Sequence, residues 1–295
     1  MSVQPDFNIG VIGERIDPGF RSTRALFDSG DMAGIQALAV RQAEAGARYL
    51  NIGVGARALI EPEFMAEIVR VVQAATTVPP CFDFPGFQAQ EACLRAYDFA
   101  RADGRKPLVN AITEHRWEVM ELHELYDFKV IVMTSERADG GVAVGNRTAE
   151  EIYATGRRCA LRLMRDYGLA PDDIYLDMSV SAIIADKEGL NRNAIEAIKL
   201  IGADSGLQGV HMVGALSHIG QQLPPKAVDG SDLRLALECA FLTLTVPYGF
   251  DHILGTPWRA YAPLPEDNYV LQAYRHFLEQ TGSNAIRAVR RFYKA

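Results

Sequence analysis

The sequence predicts an α/β fold, a closed barrel of eight strand–helix units, on three observations. Short apolar runs alternate with longer segments of helical spacing from one end of the chain to the other. The runs are apolar on both faces, as parallel strands covered by helices are. The length of 295 residues suits one (β/α)8 barrel, which needs roughly 250. A doubly wound open sheet is the alternative, but it has fewer units and a glycine-rich phosphate turn after its first strand. Here that turn reads GERIDPGF, without G-x-G-x-x-G.

Taken in order, the strand-like runs are Phe7–Gly13, Tyr49–Gly55, Pro80–Phe84 and Leu108–Thr113, then Lys129–Thr134, Ile174–Met178, Gly209–Leu216 and Phe250–Gly255. Between them, apolar residues recur at three- and four-residue intervals over Met32–Ala45, which Gly46 stops. Glu63–Ala75 follows Pro62, a good first helical residue. Further helices are expected at Gln88–Ala102, Trp117–Tyr126, Ala149–Tyr167, Asn193–Ile201, Leu233–Thr245 and Asn268–Gln280. Thr148 and Glu151 have capping-box spacing, and Gly168 stands where a left-handed C-terminal residue belongs. The terminal RAVRRFYKA reads as a short basic helix on the outside with a solvated face. No linker, low-complexity run or repeat divides the chain, so residues 1–295 are expected to form a single domain.

Composition narrows the function. At 48% hydrophobic and 23% charged the chain can bury a large core. No apolar run approaches the roughly 18 residues of a membrane helix, so no membrane partner is expected. The opening MSVQPDFNIG lacks the basic-then-apolar pattern of a secretory signal, which predicts a cytoplasmic protein. A net charge of −7 without a block of Lys/Arg argues against nucleic acid. Cys81, Cys93, Cys159 and Cys239 lack C-x-x-C spacing and read as buried small hydrophobes. The histidines His115, His123, His211, His252 and His276 fall on different elements, so no metal site is expected.

In a parallel barrel the active site lies at the carboxyl ends of the strands. The useful question is which strands carry polar residues there that a core would not need. Strand one runs into Glu14, Arg15 and Asp17; strand two carries Asn51. Asp83 interrupts strand three, Asn110 strand four and Asp177 strand six, while strand seven runs into Ser217 and His218. An unpaired buried carboxylate costs several kcal/mol. Three such interruptions at matching depth therefore suggest a ring of acceptors facing one ligand with several N–H donors. The competing account is that each residue caps a following helix.

At these residues the chain resembles the pterin-binding methyltransferases, typified by methyltetrahydrofolate:corrinoid/iron–sulfur protein methyltransferase and the folate module of cobalamin-dependent methionine synthase. IGERID (Ile12–Asp17) is similar to that family's IGERIN, and RQAEAGARYLNIGVG (Arg41–Gly55) to RQxxxGAxxLDxNVG. CFDF, LVNAIT and IYLDM correspond to family strands ending in Asp, Asn and Asp, and VGALSHIGQQLP (Val213–Pro224) to GLSNxSxxLP. The resemblance implies a TIM barrel of the dihydropteroate-synthase-like, pterin-binding type. It implies a cytoplasmic homodimer in one-carbon metabolism that moves a methyl group between N5 of tetrahydrofolate and a corrinoid. The corrinoid would come from a partner protein or as free methylcobalamin, because no cobalamin-binding domain is present.

The pterin contacts carried over are Asp83, Asn110 and Asp177, with Glu14, Asp17, Asn51 and Ser217 beside them and Asp83 and His218 as catalytic candidates. A pterin edge offers its 2-amino group, N3–H and N8–H, which carboxylates accept and an amide can match. Each charge-assisted bond contributes about 1.5–3 kcal/mol, so three suffice for micromolar binding. For Glu14 the alternative is a salt bridge to Arg15 or Arg41. The chain departs from the family at Asp17, where Asn is usual, at Asn51 and Gly53, where Asp and Asn are usual, and at His218, which replaces the Asn near N5. His218, with a reference pKa near 6.5, suits proton transfer at N5, or it only lines the pocket. Two other readings are open: a folate-binding subunit that has lost catalysis, and dihydropteroate synthase. The second lacks support from LDMSVSAIIADKEG, which stands where D-P-G-x-G-F-x-K is expected.

Overall fold

A computed structural model describes residues 7–294. Eight parallel strands close into a barrel in the order β1 (Gly10–Ile16), β2 (Tyr49–Ile52), β3 (Pro80–Asp83), β4 (Leu108–Ile112), β5 (Lys129–Met133), β8 (Ile174–Asp177), β9 (His211–Ala215) and β10 (His252–Gly255), which returns to β1. The two remaining strands, β6 (Glu136–Asp139) and β7 (Val142–Gly145), form an antiparallel hairpin after β5 that the sequence pattern did not disclose. Its residues are mostly exposed, so it carries no apolar alternation to read. All eight expected barrel strands are present. The first is displaced: it begins at Gly10 and runs through Ile16, with a register shift between Gly13 and Ile16 against β2. Glu14 therefore stands inside the strand rather than in the loop beyond it.

The outer helices follow the expected segments closely. α2 (Met32–Glu44), α4 (Pro62–Gln73), α6 (Ala149–Tyr167) and α8 (Leu233–Thr245) bury their apolar faces on the barrel, and Thr148 and Glu151 close the capping box of α6. α7 (Leu190–Ala203) begins three residues early because Asp186 accepts the N–H groups of Leu190 and Asn191. α5 (Phe87–Ala96) ends before Tyr97, whose buried ring requires an extended backbone and whose hydroxyl donates to the Arg105 carbonyl at 2.7 Å. Gln73 then satisfies both the N–H and the carbonyl of Asp98. The expected helix at Trp117–Tyr126 is a 3-10 turn over Glu118–Glu124. Val119, Met120 and Leu122 are buried there while Leu125 is 74% exposed, so no apolar face extends far enough for an α-helix.

α1 (Arg21–Ser29) and the single turn α3 (Arg57–Ile60) are additions to the expected helices, each short and with a single buried residue, Thr23 and Ala58. α9 (Tyr269–Leu278) precedes α10 (Gly282–Arg290), which is more than a solvated helix: Ala285, Ala288, Val289 and the following Phe292 are buried. All four cysteines are free and buried. No described helix is long and apolar enough to cross a membrane.

Inside the barrel the strand period of two sorts residues into layers. Ile12, Tyr49, Cys81, Leu108, Ile131, Tyr175 and Val213 form one apolar cluster. Two residues further along the same strands stand Glu14, Asn51, Asp83, Asn110, Met133, Asp177 and Ala215. An apolar plug is thus overlaid by a largely polar layer at the carboxyl end.

Gly202, near the end of α7, lies against α8's continuation: a Cβ there would stand 2.0 Å from the Tyr248 carbonyl oxygen. Helix propensity alone would make Gly202→Ala stabilising by about 1 kcal/mol. The contact reverses the sign, and urea denaturation should show a loss of about 1–3 kcal/mol.

Candidate active site

The polar layer opens into a cavity of about 640 Å3 at the carboxyl end of the barrel. Glu14, Asp17, Asn51, Asp83, Ser217 and His218 all line it. Asn51 is buried; its Nδ2 donates to Asp83 Oδ2 at 2.8 Å, while its Oδ1 has no partner among the described residues. An amide with its donor engaged and its acceptor open suits a ligand N–H. Gln90, on α5, holds the neighbouring backbone: its side-chain amide donates to the Phe82 carbonyl at 3.0 Å and reaches the Asn110 carbonyl at 3.3 Å. The ends of β3 and β4 are thereby fixed together, with Asp83 and Asn110 in register.

Asn110 and Asp177 belong to the same layer but do not line the cavity as it stands. Asp177 Oδ1 accepts the Ser179 N–H at 2.8 Å, in a turn where Ser179 takes a positive φ of 52°. Asp177 thus caps no helix: its carboxylate closes a turn, and the next helix, α7, begins after Gly189. Asp83 caps nothing: the residue before α5 is Gly86.

Glu14 makes neither of the salt bridges considered for it. Its carboxylate accepts from Ser217 Oγ at 2.8 Å and from Thr256 Oγ1 at 3.3 Å. The arginines are engaged elsewhere: Arg15 lies 3.8 Å over the Phe20 ring and Arg41 3.8 Å over that of Trp258. His218 is exposed at the rim, ending a 3-10 turn after β9.

Asp17 and Gly53 explain one another. A Cβ at position 53 would stand 2.3 Å from Asp17 Oδ2, so a side chain there would have to displace that carboxylate. Asp17 is held by the Gly19 N–H at 2.6 Å. Asp17 thus occupies space that a side chain at position 53 would need.

Burial dominates the electrostatics. It pushes the Asp83 carboxyl up to about 6, partly offset by the Asn51 amide and reinforced by the charge of Asp17. It pushes Asp177 up to about 6 as well, against the Ser179 N–H and the charge of His218 and with that of Asp83. Glu14 is raised for the same reason despite its two hydroxyl partners. These carboxylates are costly as anions at such depth and would gain most from N–H donors.

The segment after the last strand, β10, supplies lining residues that the sequence reading did not name. Thr256, Trp258 and Arg259 follow β10 directly. Arg259 pairs with Glu238, a buried acid in the apolar run LRLALECAF of α8, whose carboxyl burial lifts to about 7 and whose Oε2 has no partner among the described residues. The signal was legible in TPWRA and in that single interrupting Glu. Conversely, the structure brings together residues that seemed unrelated: the His211 and His252 rings lie 4.6 Å apart at the other end of the barrel, beside Asp251.

The profile of the family described as pterin binding enzyme matches residues 20–254. The chain belongs to the pterin-binding enzyme family. A curated relative named methylcorrinoid:tetrahydrofolate methyltransferase, from Eubacterium limosum, is 25% identical over 254 residues, covering 84% of each chain. Among solved structures, dihydropteroate synthase from Thermus thermophilus superposes with a TM-score of 0.59 at 18% identity, covering 86% of this chain and 90% of that one. The Burkholderia cenocepacia dihydropteroate synthase gives 0.57 at 16% identity, with 96% and 93% covered. These likenesses show that the pterin-binding family's barrel is the fold shared here.

The raised carboxyls have a measurable consequence. Asp83 binds a proton more tightly folded than unfolded, so its contribution to stability is fully present below about pH 4 and lost as pH rises through about 6. Asp83→Asn should therefore raise the melting temperature at pH 8, by the equivalent of roughly 1–3 kcal/mol, and leave it nearly unchanged at pH 4.

Proposed function

We propose that this protein transfers a methyl group from a methyl-corrinoid to N5 of tetrahydrofolate. The observation that carries the reading is the Asn51–Asp83 pair lining the cavity with an open amide acceptor, with exposed His218 in the same wall and Asp177 in the same layer beneath. The similarity to methylcorrinoid:tetrahydrofolate methyltransferase over 84% of both chains supports this activity and direction. Dihydropteroate synthase shares the barrel, but the absence of its sixth-strand motif from LDMSVSAIIADKEG weighs against that chemistry.

In this reading the pterin ring lies flat in the cavity, with its 2-amino group, N3–H and N8–H turned to Asn51 Oδ1, Asp83 and Asp177. Asn110, held beside Asp83, supplies an amide to the ring edge, and Asp17 and Glu14 with Ser217 complete the polar wall. The N5 lone pair attacks the methyl carbon of the corrinoid. The cobalt–carbon bond breaks with both electrons left on cobalt, and the methylated N5 then loses its proton. His218, at the open rim, accepts that proton; Asp83 serves catalysis by fixing the ring. The chain supplies orientation and proton handling, while folate and corrinoid carry the reacting atoms. The corrinoid arrives at the open mouth, on a partner protein or as free methylcobalamin. Pairing of two copies through outer helices leaves that mouth free.

Mixing the protein with tetrahydrofolate and methylcobalamin and following cobalamin absorbance tests the proposal. His218→Ala should lower kcat by about 100-fold or more with little change in folate affinity. Asp83→Asn should weaken folate binding by about 10- to 100-fold. Tight folate binding without any spectral change would instead indicate a non-catalytic folate-binding subunit, and no folate binding would reject both readings.

Folate affinity should also depend on pH. Protons compete with the ligand's N–H groups for Asp83 and Asp177, so affinity should rise from about pH 5 to about 7 and then level off. Calorimetric titration across that range would show it, and a flat profile would remove these carboxylates from the contact set.

A further inference from the structure

The opposite end of the barrel carries a second cluster that methyl transfer does not use. His211 opens β9, and Asp251 and His252 stand at the start of the neighbouring strand β10. We propose that these three residues form a binding site for a divalent transition metal, best suited to zinc. Each offers one ligand atom, and the three atoms lie within 4.8 Å of one another. Two imidazoles and one carboxylate are a donor set that zinc takes readily, with water in the fourth position.

The surroundings have the form of a ligand's second layer. His211 Nδ1 lies 2.6 Å from Asp251 Oδ2, while its other nitrogen, Nε2, lies 3.1 Å from Asp172 Oδ1. Asp172 is in turn held by the Lys129 ammonium, and the Met212 N–H donates to Asp251 Oδ1 at 3.0 Å. Metal-bound imidazoles commonly engage a carboxylate through the ring nitrogen that does not bind the metal, which sets the tautomer and the ring plane. Tyr175 adds rigidity, its ring 4.6 Å from that of His211 and 5.0 Å from that of His252.

An independent observation points to a ligand. His252 is 4% exposed, and its Nδ1 has no hydrogen-bond partner among the described residues. The nearest group to that nitrogen is Asp251 Oδ1 at 3.0 Å, itself one of the proposed ligands and already accepting the Met212 N–H. A buried ring nitrogen left in this way is destabilising, and coordination of its lone pair would relieve it. The site is also reachable: a cavity of about 490 Å3 is lined in part by His211, Met212 and Asp251. It lies roughly 13 Å along the strands from the polar layer, taking four residues of β9 at about 3.3 Å each. A metal here would tie β9 to β10 at the barrel floor without touching the folate site.

Zinc titration of the chelator-treated full-length protein, by calorimetry and with cobalt(II) as a spectroscopic probe, tests the assignment. One metal per chain is expected, with a rise in melting temperature and cobalt ligand-field bands of a low-coordinate nitrogen–oxygen site. His252→Gln and Asp251→Asn should abolish stoichiometric uptake while folate binding persists. The exposed Asp172→Asn is the milder variant, which serves if the others fail to fold; it should weaken zinc about 10- to 100-fold. The assignment is overturned if the folded wild-type protein takes up no stoichiometric zinc, or if uptake is unchanged in Asp172→Asn and in whichever of the other variants folds. In that case His211–Asp251 is an ion pair of the barrel floor and nothing more.

Discussion

Closure of the parallel sheet is the constraint on which the rest depends. Once eight strands meet, every second residue must point inward, and the interior is too narrow to leave those side chains solvated along its length. Ile12, Tyr49, Cys81, Leu108, Ile131, Tyr175 and Val213 fill it. The next inward step along each strand is the first that reaches the mouth, and there the chain places Glu14, Asn51, Asp83, Asn110 and Asp177. The site is therefore a layer of the barrel, held as rigidly as its core. The segments after β1, β9 and β10 add Asp17, Ser217, His218 and Thr256 around it.

That placement has an electrostatic cost, visible in the carboxyls that burial lifts toward neutrality. A core selected for stability alone would not keep Asp83, Asp177 and Glu238 at such depth. The Asn51 amide with its open acceptor belongs to the same pattern of polar atoms incompletely satisfied until something binds. Asp17 and Gly53 show how a loop contributes to that layer. The Asp17 carboxylate, from the loop after β1, fills the space beside Gly53 that a side chain there would need.

The barrel floor obeys the same alternation with a different outcome. His211 and Tyr175 belong to strands whose apolar residues plug the interior, yet at the amino-terminal end they meet His252 and Asp251 in a compact polar cluster. Both ends of the cylinder are polar and the middle is not. The two clusters are separated by the plug, which allows one end to hold a ring-shaped ligand and the other to tie strands together without mutual interference.

Much of this was readable along the chain. Strand runs, the capping box of α6, the ends of α8 and the polar interruptions at Asp83, Asn110 and Asp177 depend on local periodicity and spacing, which a linear pattern carries. The hairpin of β6 and β7 was not legible, because exposed strands need no apolar alternation. The early end of α5 was missed because Tyr97 is held by core contacts distant in sequence. Thr256, Trp258 and Arg259 were legible in principle, in the polar stretch that follows the last strand. By contrast, the partnership of Glu14 with Ser217 and Thr256, the exclusion between Asp17 and a side chain at 53, and the meeting of His211 with His252 join positions up to 242 residues apart. The sequence by itself determined which side chains face the barrel interior, since inward direction follows from a period of two. Only the tertiary structure decided which of them meet, because neighbours around a closed barrel are set by strand order and stagger, and neither is written in the local pattern.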